Sequence, residues 1–169
     1  LLYPDQWRME SEGAVSHLAI DSPLLPGLIS IATGSFKTNQ DGLSLSNVHA
    51  SFMDSSLRVS GTLAASFTKV NLANFLLSGH VGRSTVRWAA KKFNIPPHLV
   101  VRAPLLLANV NVTWKAAGSV SVSGKAVVRN GPELVLDMHE SKGEISVNRL
   151  VIEDESRRCG GILAGLRDL

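Results

Sequence analysis

The feature that most constrains the fold of this sequence is an alternation of apolar and polar residues that changes phase at an asparagine. Leu43 and Leu45 occupy odd positions, whereas the next apolar residues, among them Val48 and Phe52, occupy even ones. Side chains alternate between the two faces of a β-strand, so a change of parity moves the apolar set to the other face unless one extra residue is inserted. The pattern therefore predicts a β-bulge or a sharp bend near Asn47, because asparagine tolerates the unusual φ that such a bend needs.

The same phase change occurs a second time, 62 residues further along the chain. A bend near Asn109 is predicted on the same grounds, and Gly61 and Gly124, which each end a Val-Ser-Gly triplet, are expected to mark related bends. We interpret residues 43–63 and 105–126 as an imperfect duplicated hairpin unit that encodes a curved sheet. The matched residues are Leu43, Leu45, Asn47, Val48 and Phe52 in the first copy, and Leu105, Leu107, Asn109, Val110 and Trp114 in the second.

Most of the remaining chain alternates with the same period of two. Turn signals such as NQDG at 39–42 and SKGE at 141–144 separate the alternating segments. Several strands at this spacing, joined by short turns, favour an antiparallel meander. The predicted fold class is mainly β, a curved antiparallel sheet with one short helix. We predict strands over 15–21, 28–38, 43–53, 57–65, 69–77, 99–116, 120–129, 134–140 and 145–153.

One segment breaks the alternation and is predicted to form a helix at about 84–94. Apolar residues at 86, 89, 90 and 93 recur at helical spacing, Ser84 is the expected N-cap, and two prolines at 96 and 97 would end the helix. The helix carries four cations and Trp88, a composition that suits either an anionic lipid surface or an ordinary solvated face. We favour the solvated face, because a lone three-turn helix with a modest apolar side binds membranes weakly. The cations are Arg83, Arg87, Lys91 and Lys92.

Composition excludes several classes of protein. The 169 residues include 17 basic and 14 acidic side chains, a scattered excess too weak for a nucleic-acid-binding surface. One cysteine, Cys159, rules out an internal disulfide framework. No apolar run approaches the ~18 residues of a membrane-spanning helix, and the first residues lack the layout of a signal peptide. Because there is no initiator Met, we expect residues 1–169 to be one β-rich domain of a longer polypeptide.

Four stretches resemble the repeating hairpin signature of the AsmA-like family, the bacterial envelope group that includes AsmA, TamB and YhdP. They are GLSLSNVHASFMDSSLRVSGTL, NLANFLLSGHVG, NIPPHLVVRAPLLLANVNVTW and GSVSVSGKAVVRNGPELVLDM, which together cover about residues 42–138. The resemblance implies a segment of a long curved β-structure in the periplasm of a Gram-negative bacterium, tethered to the inner membrane through a segment outside this sequence. It also implies a role in outer-membrane biogenesis, with phospholipids carried along a hydrophobic groove.

A curved sheet with an apolar concave side must cover that side or leave an apolar groove, and a groove of that kind suits acyl chains. We therefore expect a non-enzymatic lipid-transfer module that needs no cofactor and no metal. Its expected partners are phospholipid or another acyl-chain lipid, neighbouring repeats of the same chain and other envelope proteins, with no nucleic acid. The parity change leaves open whether all the candidate groove residues share one face. They are Leu43, Leu45, Val48, Phe52, Leu105, Leu107, Val110, Val112 and Trp114.

Two other classes of function remain as alternatives. The first is a structural or interaction module without a lipid ligand, in which sheet edges pair with neighbours and the apolar face is closed. The second, less favoured, is a hydrolase, although no GxSxG elbow is present. Asp137, His139 and Glu140 hint at a metal site but fall short of a convincing ligand set. Cys159 lies beside two arginines that could lower its pKa, but the sequence shows no paired base.

Overall fold

The chain forms one ten-stranded antiparallel sheet in which the strands lie side by side in sequence order. The computed structural model describes residues 10–21, 23, 25–66, 69–92, 95, 97, 100, 103–116, 118–141, 144–154 and 157–159. The sheet is curved and not closed, and the described residues contain one short helix, which confirms the predicted fold class. The elements are β1 (Ser11–Ile20), β2 (Ile29–Asn39), β3 (Gly42–Phe52), β4 (Ser55–Ser66), β5 (Lys69–Val81), α1 (Arg83–Lys92), β6 (Leu105–Lys115), β7 (Ser119–Val128), β8 (Glu133–Ser141), β9 (Glu144–Asp154) and β10 (Arg157–Cys159).

Each of the nine predicted strands corresponds to one of β1 to β9, but some ends differ. β1 begins at Ser11, four residues before its predicted start, and β5 continues to Val81, four residues beyond its predicted end. The sequence predicts a strand from residue 99, but β6 begins at Leu105. Pro104 precedes it and lacks the backbone N–H that a ladder requires, and its carbonyl instead accepts a hydrogen bond from the Arg129 N–H at 3.0 Å. The three-residue strand β10 was not predicted, because it is too short to show an alternation.

The helix begins one residue earlier than expected, and the prediction that Ser84 is its N-cap is wrong. Ser84 lies inside the first turn, where its backbone N–H donates a hydrogen bond to Asp54 Oδ2 at 2.8 Å. Asp54 belongs to the turn between β3 and β4, so a carboxylate thirty residues away in sequence satisfies the N–H groups that a local cap would otherwise satisfy. Phe93, the last residue of the predicted apolar stripe, lies outside the described residues.

Both predicted bends are present at the asparagines. Asn47 has φ 49° and Asn109 has φ 55°, in the left-handed region that asparagine enters more readily than most residues. The pairing of β3 with β4 shifts register between Leu45 and Val48, and the pairing of β6 with β7 shifts between Ala108 and Asn111. Each copy of the repeat therefore contains one extra residue, as the parity change predicts.

Irregularities of other strands fall on the same line across the sheet. His17 in β1 has φ 55°, β2 and β3 shift register on both sides of Thr33, and β9 has one extra residue, Asn148, where it pairs with β8. Through the strand pairings these positions neighbour Asn47 and Asn109, so one crease crosses the strands from β1 to β9. Bulges bend strands and increase their twist, so their alignment folds the whole sheet along the crease.

Little of the described structure is fully buried. The buried apolar residues of the sheet are small or β-branched with the exception of Leu134, and no large side chain among the described residues is completely inaccessible. A single sheet has no second layer against which to bury a face, and α1 covers only a small part of this one. The buried apolar residues are Val48, Ala73, Val110, Ala126 and Leu134 in the sheet and Ala90 in α1.

Candidate functional site

The register of β6 against β5 places every candidate groove residue of the second repeat on one face. From Leu72 to His80, β5 pairs with β4 without a register shift, so its alternate residues point to the same side. Five of these residues lie opposite the five candidates of β6, and residues directly opposite each other share a face. The pairs are Ala73 with Trp114, Phe75 with Val112 and Leu77 with Val110 below the crease, and Gly79 with Leu107 and Val81 with Leu105 above it.

The first repeat behaves in the same way against β4. Leu43, Leu45 and Val48 lie opposite Leu63, Gly61 and Val59, and Phe52 lies opposite Ser55. These four β4 residues lie on one side of the strand, and Leu63, Gly61 and Val59 pair in turn with the same side of β5. All nine candidate groove residues therefore share one face, because each bulge restores the side that the parity change would have lost.

This face, which we call the apolar face, is apolar across most of the sheet. One row along the crease contains only aliphatic residues and glycines, from Val15 in β1 to Leu136 in β8. The opposite side, the polar face, carries mainly serine, threonine and charged residues in β3, β4 and β7, with a few exposed leucines such as Leu106. The row comprises Val15, Gly34, Val48, Val59, Leu77, Val110, Gly124 and Leu136.

We infer that the apolar face lies on the inside of the bend. Val48 and Val110, which flank the two asparagines, are only 7% and 5% exposed although no second layer covers them. A Cβ on Gly34 would come within 2.8 Å of Val48 Cγ2, and one on Gly124 within 2.7 Å of Val110 Cα. Such crowding is expected on the concave side of a fold. The apolar face therefore lines a trough whose floor is the crease.

The trough runs across the strands, and the strand ends form its two rims. The row along its floor crosses seven strand-to-strand spacings of about 4.8 Å from β1 to β8, a length of roughly 34 Å. From Val48 on the floor to Phe52 at one rim, a strand rises about 13 Å. Phe52 and the other candidates are half-buried or, at the floor, buried.

Helix α1 is fastened to one rim by the turn between β3 and β4. Ser55, buried at 4% exposure, accepts a hydrogen bond from the Gly82 N–H at 2.9 Å, and its hydroxyl donates one to Thr85 Oγ1 at 2.7 Å. The ring of Trp88 meets that of Phe52 edge-on, with centroids 5.3 Å apart. The helix thus lies over the Phe52 end of the apolar face and does not cross the sheet.

The Asp54 carboxylate completes this attachment. Asp54 Oδ2 and Oδ1 accept hydrogen bonds from the Ser84 and Thr85 N–H groups at 2.8 and 3.1 Å, and the Thr85 hydroxyl donates a third at 3.0 Å. These bonds, first that of the Ser84 N–H, lower the pKa of Asp54 from 3.8 to about 2. Sequence analysis missed Asp54 and Ser55, because no local pattern links them to a helix thirty residues away.

The sheet separates the three residues considered as metal ligands. Asp137 and His139 lie on the polar face, whereas Glu140 belongs to the apolar side of β8, and the described residues contain no group of three potential metal ligands. His139 Nδ1 lies 2.9 Å from Ser121 Oγ on the neighbouring strand. That contact joins two half-buried residues of the polar face on neighbouring strands. The side chain of Cys159 lies outside the described residues.

Within the part of the chain that the structure describes, none of the helical segments has the length and apolarity needed to span a membrane. Comparison with protein-family models, with curated proteins and with solved structures finds no match to the chain. The resemblance to the AsmA-like family therefore stays a prediction based on the residues quoted above.

Proposed function

We propose that the trough holds the acyl chains of a lipid, and that the chain is a non-enzymatic module of an envelope protein for lipid transfer or outer-membrane biogenesis. The observation that supports this proposal is the continuous concave apolar face, which no second layer of the described structure covers. Soluble monomers rarely expose a contiguous apolar patch of more than a few hundred Å² unless it binds something.

The mechanism is passive. Each CH₂ group that leaves water for the trough contributes about 0.8 kcal/mol, so a long acyl chain gains several kcal/mol without a specific polar contact. The headgroup stays toward solvent at a rim. Because aliphatic side chains line the whole row along the crease, a chain can occupy several equivalent positions along it, which suits transport better than selective capture.

The envelope setting of the proposal rests on the family resemblance. In that setting the module lies in the periplasm of a Gram-negative bacterium, and a segment outside this sequence tethers the protein to the inner membrane. Neighbouring repeats of the same chain would extend the sheet, and with it the trough, beyond the strands described here.

Two adjacent leucines on opposite faces of β6 provide the test. Leu107 lines the trough, whereas Leu106 is 53% exposed on the polar face. We expect Leu107→Asp to abolish copurification of phospholipid from bacterial cells, measured by lipid extraction and mass spectrometry, and Leu106→Asp to leave it unchanged. Circular dichroism checks that both variants fold. Leu107→Ser is a milder change, and we expect it to lose only part of the bound lipid. A folded wild-type domain that carries no lipid and takes up none from vesicles would contradict the proposal.

A second candidate function, an interaction module without lipid, is favoured by the free edge of β1. This strand contains neither lysine nor proline, which commonly protect an edge, and it exposes Leu18 at 43% and Ile20 at 40%. An additional strand could pair with the outer edge of β1, with which no described strand pairs. If edge pairing is the function, Ala19→Lys, a change on the polar face of β1, should abolish self-association or partner binding in analytical ultracentrifugation while lipid content, where any is present, stays the same.

A further inference from the structure

We propose that the exposed cations of α1 bind the phosphate of a lipid headgroup, so that the trough prefers phospholipids to uncharged lipids with the same acyl chains. This inference rests on the proposed function, since it assigns the headgroup end of the same site. It names the rim at which the headgroup lies and the side chains that contact it.

The position of α1 brings its cations to a rim of the trough. The helix follows β5 directly and is fastened to the β3–β4 turn, so it lies where the apolar face meets solvent. Trp88 packs on Phe52, the last apolar residue of β3. A lipid whose chains point to the crease has its headgroup at this level, within reach of long arginine and lysine side chains.

The charge of α1 is one-sided. Arg83, Arg87 and Lys91 follow each other at intervals of four residues and so form one stripe along the helix. These three and Lys92 are exposed, and the helix contains no acidic residue. Thr85 and Ala90 face the sheet or are buried. The exposed side of α1 therefore carries four cations and no carboxylate, which suits an anionic ligand.

The carboxylate nearest to the helix, Asp54, forms no ion pair with this stripe among the described residues. Asp54 is engaged with the backbone of Ser84 and Thr85 at the first turn, where it satisfies N–H groups. Asp21 follows β1, four strands from β5, which at about 4.8 Å for each strand places it roughly 19 Å away. At that distance an exposed charge is largely screened at physiological ionic strength.

The opposite rim shows no such cluster of cations among the side chains that the structure describes. The strand ends there expose Glu10, Glu12, Asp41 and Glu144 together with Lys37 and Lys115. The described charges therefore favour the α1 rim for the headgroup.

The test removes the stripe and compares two lipids with the same acyl chains, one with a phosphate-containing headgroup and one without. The variant is Arg83→Gln/Arg87→Gln/Lys91→Gln in the full chain. The probes are phosphatidylglycerol and diacylglycerol with the same fluorescent acyl chain, titrated at low and high salt. The matched control is Lys37→Gln/Arg58→Gln/Lys115→Gln, which removes the same charge from exposed residues of the polar face. Inorganic phosphate is added as a competitor to show whether free phosphate alone occupies the stripe.

We expect the α1 variant to raise the Kd for phosphatidylglycerol about tenfold, which corresponds to about 1.4 kcal/mol, and to leave the Kd for diacylglycerol within about twofold. The control variant should change neither, and high salt should remove the difference between α1 variant and wild type. If the α1 variant and the control variant lose affinity for phosphatidylglycerol equally, the inference is wrong. It is also wrong if the α1 variant loses affinity equally for both lipids. Neither result would contradict lipid binding in the trough. If millimolar inorganic phosphate competes as strongly as lipid does, the stripe on α1 binds free phosphate and is not a headgroup site. Failure of both lipids to bind the wild type would instead refute the proposed function.

Discussion

Gly124 lies directly against Val110 at the floor of the trough, so that a Cβ on Gly124 would come within 2.7 Å of Val110 Cα. Gly124 also has φ 146°, a conformation that other residues rarely adopt. The bulged strand β6 and its neighbour β7 thus approach each other at the crease only because this position has no side chain. Close packing at this point is part of what folds the sheet.

Replacement of Gly124 by alanine should therefore destabilise the domain. Backbone strain and overpacking together are expected to reduce the free energy of unfolding by about 2–4 kcal/mol. Urea denaturation followed by circular dichroism measures the change. Gly27→Ala is the matched control, because a Cβ at Gly27 meets nothing within 4 Å. A Gly124→Ala domain as stable as the control would show that the crease relaxes without cost.

The asparagine bends give a second prediction. Asn47 has φ 49°, which glycine adopts freely and a β-branched residue does not. Its backbone N–H donates to Ser60 Oγ at 3.0 Å, a bond that a substitution at position 47 leaves in place. Asn47→Val should lower the free energy of unfolding by about 1–2 kcal/mol, whereas Asn47→Gly should stay within about 0.5 kcal/mol of wild type. The same order is expected at Asn109.

Chemical denaturation of the four single variants measures these differences. Asn111, which lies two residues after Asn109 in regular pairing with Ser123, serves as the control position. Asn111→Val should be close to neutral, because valine suits an ordinary strand. If valine were tolerated equally at 47 and 111, the left-handed backbone would not be the reason for asparagine at the bends.

The bends could be predicted from sequence because their signal is local. An apolar pattern that changes parity beside an asparagine contains all the information that a single strand needs to bulge. The sharing of one face by Leu43 and Phe52, or by Leu107 and Val110, could not be predicted, because it depends on how many residues the neighbouring strand places opposite each bulge. That number is a property of the pairing and not of either strand.

The attachment of α1 was beyond sequence analysis for a related reason. The helical spacing of its apolar residues predicts a helix, and the serine at its start suggests a local cap. The cap is instead Asp54, in a hairpin turn that reaches the helix only once β3, β4 and β5 have paired. Gly34 was missed likewise, since its crowding by Val48 exists only in the folded sheet.

The contact between Trp88 and Phe52 yields a third prediction. An edge-on aromatic pair contributes about 0.5–1.5 kcal/mol beyond the burial of its surface. Trp88→Ala should therefore reduce the free energy of unfolding by about 1–3 kcal/mol, and Trp88→Phe by less than half of that, because an aromatic ring still meets Phe52. Thermal denaturation together with the helical signal in circular dichroism measures both. Loss of the helical signal well below the main transition in Trp88→Ala would show that the pair holds α1 to the sheet.

The capping carboxylate makes the attachment of α1 dependent on pH. Because the pKa of Asp54 falls from 3.8 to about 2 on folding, its ionised form stabilises the folded state fully above about pH 4. This contribution is lost as the pH falls through the folded pKa, so wild-type stability should decrease between about pH 4 and pH 2. In Asp54→Asn the difference from wild type in the free energy of unfolding should be largest at neutral pH and vanish near pH 2.

Urea denaturation at a series of pH values measures this difference. Asp41→Asn, in the exposed β2–β3 turn, is the control. A constant difference across this range would mean that the side chain stabilises the helix through its shape and not through its charge.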